Sequence, residues 1–423
     1  MDISVIGGGY MGLVTSVGLA ELGNTVTVID LNESKVAMIN SAQAPFFEPG
    51  LHELLQKHVG SSLFASTTFE DVADSEISFI CVDTPADETG HVNLTKVKSS
   101  ACSIGLALQG LETFHTVVIK STVPPGTTES VIIPLILGKS KRNFSTLGFS
   151  ANPEFLREGQ AVADFMHPDR IVIGVSDGRA EEILTRMYCK IDAPILTTSI
   201  KSAEMAKHVS NAFLATKISF ANEVGNICKN LEIDVYDVMR CVGSDHRISP
   251  NFLSAGVGFG GSCLPKDLKA LIHLAEALGE EPFLLHAVKK VNEKQPERIY
   301  RLLERKLGKL KNKRIAVLGL AFKPNTDDIR GSPAIPVIQS LDAKGATVIA
   351  YDPLAVENMR GVFPRIKYAK HPLEALTGAD ACVLLTEWPE FECLDSEFDA
   401  MQTRIVIEGR KILLCKNKEG VCW

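Results

Sequence analysis

The ten cysteines include no Cys-X-X-Cys pair and no tight cluster. That excludes a disulfide framework or a thiolate metal site as the organising device and fits reduced thiols. No run of 18 apolar residues occurs, so no spanning helix is expected. The opening Met1–Gly9 lacks a basic segment followed by an apolar core and cleavage site, so no secretory signal is read there. No block of Lys and Arg interleaves with aromatics, and the net charge is −7. Lys139, Lys141 and Arg142 form only a short basic patch, read as a solvated loop. These absences predict a cytoplasmic protein with no nucleic-acid, membrane or metal partner. At 423 residues the chain exceeds one hydrophobic core, and two or three domains are expected.

What is present begins at the N-terminus. Ile3–Ile6 reads as a buried strand running into Gly7-Gly8-Gly9-Tyr10-Met11-Gly12, followed by a helical pattern and a second strand, Thr25–Ile29, ending on Asp30. Gly7, Gly9 and Gly12 are spaced to give a tight turn, close approach to a pyrophosphate and tight helix–strand contact. Asp30, 18 residues after Gly12, is placed to bind a ribose and favours NAD over NADP. Lys35 is a candidate to cap the adenosine end. Further strands at Ile77–Val82 and Thr116–Lys120 lead to Thr84 and Thr122, at the strand ends where open sheets hold ligands. Leu147–Ala151 leads into Asn152–Gly159, where Glu154 and Glu158 would share a face if the segment were helical. Arg170–Gly174 reads as one more strand.

From Ser202 to Leu231 the pattern is a single helix. Val209, Phe213, Thr216, Phe220, Val224 and Ile227 recur at spacings of three and four, while Glu204, Lys207 and Asn211 lie on another stripe. Such a helix is long enough to join two domains and to serve as a surface for a second subunit. The glycine-rich loop Gly256–Gly261 then delivers Cys263 just ahead of a helix start marked by Pro265. The helix end and Lys266 favour thiolate over thiol. Helical patterns follow at Ala270–Leu278 and Pro282–Leu307.

Lys313–Gly319 repeats the opening strand, and Thr347–Tyr351 ends on Asp352 as Thr25–Ile29 ends on Asp30. The interval from Gly7 to Asp30 is 23 residues; from Gly319 to Asp352 it is 33, the excess matching the polar segment Phe322–Pro333. A second ligand, distinct from a dinucleotide, is expected there. Ala381–Thr386 and Ile405–Ile407 complete the sheet, the latter followed by Gly409-Arg410.

With these pieces in place, the chain resembles the UDP-glucose/GDP-mannose dehydrogenase family over essentially its whole length. The resemblance is carried by Gly7–Gly12, Thr84-Pro85, Ser121–Thr127, Asn152–Gly159, Ala203–Asn211, Gly256–Asp267, Phe322-Lys323, Thr326–Arg330 and Gly409-Arg410. It implies two Rossmann-like doubly wound α/β domains, 1–197 for NAD and 309–423 for a sugar nucleotide, joined by a long central helix in a helical dimerisation segment, 198–308. It implies oxidation of a primary alcohol to a carboxylate with two NAD, through a thiohemiacetal and a thioester on Cys263.

The same resemblance assigns Lys207 and Asn211 to the oxyanion, Asp267 to the proton-transferring water, Glu154 as base and Thr122 as its water holder. Gly7, Gly9, Tyr10, Met11, Gly12, Asp30, Lys35, Thr84, Thr122, Glu158, Lys266 and Arg330 would hold NAD. Glu154, Phe155, Leu156, Lys207, Asn211, Asn251, Phe252, Gly260, Lys323 and Arg410 would hold the sugar nucleotide, with Arg247 reaching across a homodimer built on the 202–231 helix. Gly331, Glu408 and Ser254 depart from the family pattern. Asp169–Gly174, Asp245–Leu253 and Gly409-Arg410 resemble the UDP-glucose branch, whereas Ser75–Val82 and Gly420–Trp423 resemble the GDP-mannose branch. UDP-glucose is the substrate expected, with GDP-mannose and UDP-N-acetylmannosamine as alternatives. The rivals from other classes are a one-step hydroxyacid dehydrogenase, which has no use for Cys263, and a non-catalytic sensor.

Overall fold

The computed structural model describes residues 1–423, and its contacts divide the chain into two units, Met1–Ser210 and Asn211–Trp423. In the first, β1 (Asp2–Ile6), β2 (Thr25–Ile29), β3 (Leu63–Ser66), β4 (Ile77–Ile80), β5 (His115–Ile119), β6 (Leu147–Ala151), β7 (Ile171–Val175) and β8 (Ile195–Thr198) form one sheet, ordered β3-β2-β1-β4-β5-β6-β7-β8. Neighbours run parallel except β6 and β7, which are antiparallel. Successive strand residues point to opposite faces. Accordingly Ile3, Val5, Val26, Val28, Ile77 and Phe79 pack in one core, and Ile6, Ile29, Ile80, Val117 and Ile119 in another. Both faces are covered, which is why these strands carry apolar residues on both sides, with only small polar residues such as Ser4, Thr27 and Ser78 between them. Strand order reverses between β1 and β4, so the Gly7–Gly12 turn and the loop carrying Thr84 both leave strand ends at the switch point.

In the second unit, β9 (Arg314–Leu318), β10 (Thr347–Tyr351), β11 (Lys367–Tyr368), β12 (Ala381–Leu384), β13 (Val406–Glu408) and β14 (Glu419–Gly420) form a fully parallel sheet ordered β11-β10-β9-β12-β13-β14. The two sheets and the helices around them make the mixed α/β, doubly wound architecture expected from the sequence.

Four helices carry or support the residues singled out in the sequence. α1 (Tyr10–Glu21) starts directly on the glycine turn. α2 (Ile200–Asn230) is 31 residues long, about 46 Å at 1.5 Å per residue. α3 (Leu264–Ala277) begins right after Cys263, with Pro265 in its first turn. α4 (Phe283–Leu307) carries Pro296 in its interior. Ala221 and Cys228 of α2 and Ile299, Leu302 and Leu303 of α4 share a core with β9, β10 and β12. No helix is long and apolar enough to cross a membrane.

Two features differ from the sequence expectation. Residues 152–159 are not helical, so Glu154 and Glu158 do not share a helix face. Pro153 disfavours helix at Asn152, and the Glu154 carboxylate accepts Leu156 N at 2.5 Å, folding the chain into a local turn. On α2 the stripes are inverted relative to an ordinary surface helix. Glu204, Lys207 and Asn211 are buried, whereas Val209, Phe213, Phe220 and Ile227 are exposed.

Candidate active site

The first unit builds a dinucleotide turn. A Cβ on Gly12 would sit 1.8 Å from the Gly7 carbonyl oxygen, so only glycine lets α1 close on β1. Gly7 itself holds φ +104°, a region glycine occupies without steric cost. A Cβ on Gly9, by contrast, would find only Asp83 Oδ1 at 3.9 Å. Gly9 is also the N-cap of α1 and offers no side chain to its first amides. An open space at an uncapped helix N-terminus is what a pyrophosphate requires. The Asp30 carboxylate accepts from Gly8 N at 2.8 Å, Asn32 N at 2.9 Å and Lys35 Nζ at 3.1 Å. Burial opposes its charge, but the bonds from Asn32, Lys35 and Gly8 outweigh that and hold its pKa below the usual carboxylate range. These residues fit NAD.

Tyr10 donates to Glu48, whose carboxylate also accepts Gly159 N at 2.7 Å and Ala161 N at 2.6 Å. Burial, then that bond to Glu48, push the phenol pKa upward. This joins the phosphate turn to the end of the segment bearing Glu154 and Glu158; Met11 packs on the core beside it. Thr84 Oγ1 donates to the Thr122 carbonyl at 2.7 Å, bringing together two residues singled out separately.

The buried stripe of α2 explains itself through these loops. Glu204 accepts Gly126 N at 2.5 Å and Thr128 N at 3.0 Å, and His208 Nε2 lies 3.0 Å from the Val123 carbonyl. Burial raises the Glu204 pKa above its ordinary value. One turn on, Lys207 Nζ pairs with Glu154 Oε1 at 2.9 Å, both side chains nearly out of solvent. Its ammonium lies 5.5 Å from the centre of the Phe155 ring, which Arg170 stacks on at 3.9 Å. Leu156 packs against the core below. Removing one member of such a pair strands the other as a buried charge, at about 3–5 kcal/mol.

In the second unit, Asp267 is 1% exposed. Its carboxylate receives Asn211 Nδ2 at 2.5 Å and Lys266 Nζ at 2.7 Å. Cys263 is exposed, at the N-cap of the helix that buries Asp267, with Ser262 Oγ 3.6 Å from Sγ. Lys207 and Asn211 lie one turn apart on a continuous helix: the lysine pairs with the Glu154 carboxylate, and the asparagine amide donates to the Asp267 carboxylate, whose charge Lys266 balances.

The remaining expected residues are more scattered. Arg410 donates to the Gly258 carbonyl and lies 3.5 Å from Glu387. Gly260 passes so close to Gly331 that a Cβ would come within 2.3 Å of its carbonyl oxygen. Lys323 stands beside the Phe322 ring, and Arg330 is drawn onto Asp328 at 2.6 Å. Arg247 is exposed and paired to Asp245 at 2.6 Å. Asn251 is exposed next to Phe252, which holds φ +64°.

Sequence reasoning passed over Lys120 and Asn152. Lys120 is buried and donates to Asn152 Oδ1 at 3.0 Å, which also accepts Tyr188 OH at 2.6 Å, while Asn152 Nδ2 donates to the Val172 carbonyl. Burial above all pushes the Lys120 amine down to about 8. Burial likewise raises the neighbouring Cys81 thiol to about 12. The available signal was a lysine closing an otherwise apolar strand.

The glycine turn and the doubly wound sheet that carries it have the form of an α/β dinucleotide-binding protein. Comparison with known proteins gives the family. The NAD binding, central and UDP binding domains of the UDP-glucose/GDP-mannose dehydrogenase family match residues 1–192, 201–294 and 316–414. The UDP-glucose 6-dehydrogenase AglM of Haloferax volcanii is 48% identical over all of this chain and 99% of its own length. TuaD of Bacillus subtilis, another UDP-glucose 6-dehydrogenase, is 40% identical over 99% of this chain and 91% of its own. A UDP-glucose dehydrogenase structure from Pyrobaculum islandicum superposes with TM-score 0.95 at 41% identity, covering 100% and 98% of the two chains. This chain belongs to the UDP-glucose/GDP-mannose dehydrogenase family.

Proposed function

We propose that this protein is an NAD-dependent dehydrogenase oxidising the C6 alcohol of UDP-glucose to the carboxylate of UDP-glucuronate. The observation that carries the reading is Cys263 at the N-terminus of the helix that buries Asp267, with Asn211 and Lys266 both bonded to that carboxylate. Gly7, Gly9, Tyr10, Met11, Gly12, Asp30, Lys35, Thr84 and Thr122, with Glu158, Lys266 and Arg330, are assigned to the cofactor. When bound, NAD supplies the hydride acceptor for each of two oxidations.

The chain's own groups do the rest. Asn211 and Lys207 donate toward the substrate oxygen as negative charge develops on it. Asp267, flanked by Lys266 and Asn211, orders the water that removes the hydroxyl proton. The Cys263 thiolate adds to the C6 aldehyde, forming a C–S bond and a thiohemiacetal. Loss of the second hydride equivalent leaves a thioester. Glu154 takes a proton from water positioned by Thr122, the hydroxide adds to the acyl carbon, and the C–S bond breaks to return the thiolate. Lys207 at 2.9 Å from Glu154 keeps that carboxylate in place. Phe155, Leu156, Asn251, Phe252, Gly260, Lys323 and Arg410 are assigned to the sugar nucleotide.

The exposed apolar stripe of α2 supports a homodimer in which residues 198–308 form the dimerisation segment and Arg247 of each copy serves the other's site. Phe213 is 63% exposed and Phe220 53%, an arrangement that a second copy would cover. Ten cysteines without a disulfide fit a reducing cytoplasm. An initial-rate panel with UDP-glucose, GDP-mannose and UDP-N-acetylmannosamine, following NADH, tests the substrate. UDP-glucose should give the highest kcat/KM; preference for either rival would overturn the assignment.

A further inference from the structure

The loop Gly256–Gly261 has little side-chain substance of its own, yet most of it is buried. Its place is set by amides from two helices. Gly256 N donates to Asn222 Oδ1 of α2 at 2.7 Å, and the Gly256 carbonyl accepts Gln295 Nε2 of α4 at 2.7 Å. Three residues on, Phe259 N donates to Asn292 Oδ1 at 2.7 Å, while the Phe259 carbonyl accepts Asn292 Nδ2 at 3.0 Å. Three side-chain amides thus satisfy both backbone groups of two loop residues, much as a neighbouring strand would.

The helix and loop are cut to fit each other. Gly258 lies at φ +100°, and a Cβ there would approach Asn292 Oδ1 to 2.8 Å and the Asn292 carbonyl oxygen to 3.4 Å. Pro296 has no N–H, so that carbonyl lacks its usual helical partner four residues on. Gln295 is 1% exposed and Asn222 fully buried, and Asn226 Nδ2 donates to Gln295 Oε1 at 2.8 Å. Buried amides that pair with backbone groups in this way rigidify the segment they hold.

We propose that Asn292, backed by Gln295 and Asn222, is a positioning residue for thiol addition: it fixes the loop that aims Cys263 at the substrate carbonyl carbon. This rests on the reaction proposed above. Displacement of a reacting group by about 1 Å can cost ~100-fold in rate, so a loosened loop slows capture of the aldehyde, which then escapes.

The test is Asn292→Leu, with Asn292→Ser as a milder second variant, assayed with a carbonyl-trapping reagent present. The expected result is a kcat at least ~10-fold lower, trapped aldehyde, and a yield falling from two NADH per sugar nucleotide toward one. NAD affinity should stay unchanged. A merely structural role would lower the amount of active enzyme without altering that yield. Two NADH per substrate with no trapped aldehyde, in whichever variant folds, would overturn the proposal. One NADH from the unaltered enzyme would overturn the reaction instead. The clamp is then judged by amide hydrogen exchange across 256–261, which should accelerate in the Asn292 variants and would refute it if unchanged.

Discussion

The chain contains the same strand–turn–acid unit twice, and the two copies do opposite work. In the first, β1 passes through Gly7 into α1, and β2 ends on Asp30, whose carboxylate accepts three donors and keeps some exposure. In the second, β9 passes through Gly319, and β10 ends on Asp352, which is 2% exposed. Asp352 accepts from Leu320 N, Ala321 N, Leu354 N, Ala355 N and Trp388 Nε1, at 2.7 to 3.0 Å. A carboxylate has about four lone-pair positions, so the second acid is saturated by its own protein and has no capacity left for a ribose. A helix begins at Tyr10 in the first copy, whereas the second runs through the 322–333 excursion before its helix starts at Ala334. An acid at a strand end is therefore open to a ligand only where the fold leaves it unsatisfied.

The largest effect expected from this contrast is on folding. Asp352→Ala strands five donors, four of them backbone amides, and should cost roughly 3–5 kcal/mol in denaturant unfolding. Asp30→Ala should cost about 1 kcal/mol in the same measurement. Its main consequence should be a roughly 10–100-fold loss of NAD affinity by titration, with relative gain for NADP. Equal stability losses at the two sites would break the comparison.

Lys120 gives a pH-dependent effect of intermediate size. The folded chain lowers its pKa to about 8 from an ordinary value near 10.5, so the unfolded chain binds more protons between those pH values. Stability should therefore rise with pH across that window, by about 1–3 kcal/mol. Lys120→Met should flatten that part of the profile.

Gly9→Ala should be the mildest for folding, within about 0.5 kcal/mol, because its Cβ meets only Asp83 Oδ1 at 3.9 Å. It should still weaken NAD binding, since the same space is assigned to the pyrophosphate. Loss of folding stability without loss of affinity would mean that the space serves packing.

The sequence made central strands legible and edge strands not. β2, β6 and β10 were placed to the residue because each carries buried apolar residues within a short stretch bounded by polar or turn residues. The four strands without a sequence signal, β3, β8, β11 and β14, are the outermost of their two sheets. They are short and partly exposed, so neither a run nor an alternation survives in them. The antiparallel β6–β7 pairing was also hidden, because pairing direction is set by the path of the connection and not by the strand's composition.

In the site, Cys263 was singled out by its glycine-rich loop and helix start, whereas roles for Lys207, Asn211 and Asp267 came only from the family resemblance. Asn222, Asn292 and Gln295, which bond the loop ahead of Cys263, and Asn152, which bonds Lys120, were not singled out. Each acts on a backbone far away in sequence, Asn292 on Phe259 and Asn152 on Val172, so no local pattern announces it. The direction of the α2 stripes was also illegible, since periodicity gives two faces without saying which one the fold covers.

The central claim is that the Cys263 sulfur holds the carbon between two oxidations, and counting products tests it most directly. The unaltered enzyme should release two NADH for each UDP-glucose consumed, with UDP-glucuronate as product. Cys263→Ser should stall at or near the aldehyde stage and form no acid at an appreciable rate. Acid formation at full rate by Cys263→Ser, or one NADH per substrate from the unaltered enzyme, would contradict the account.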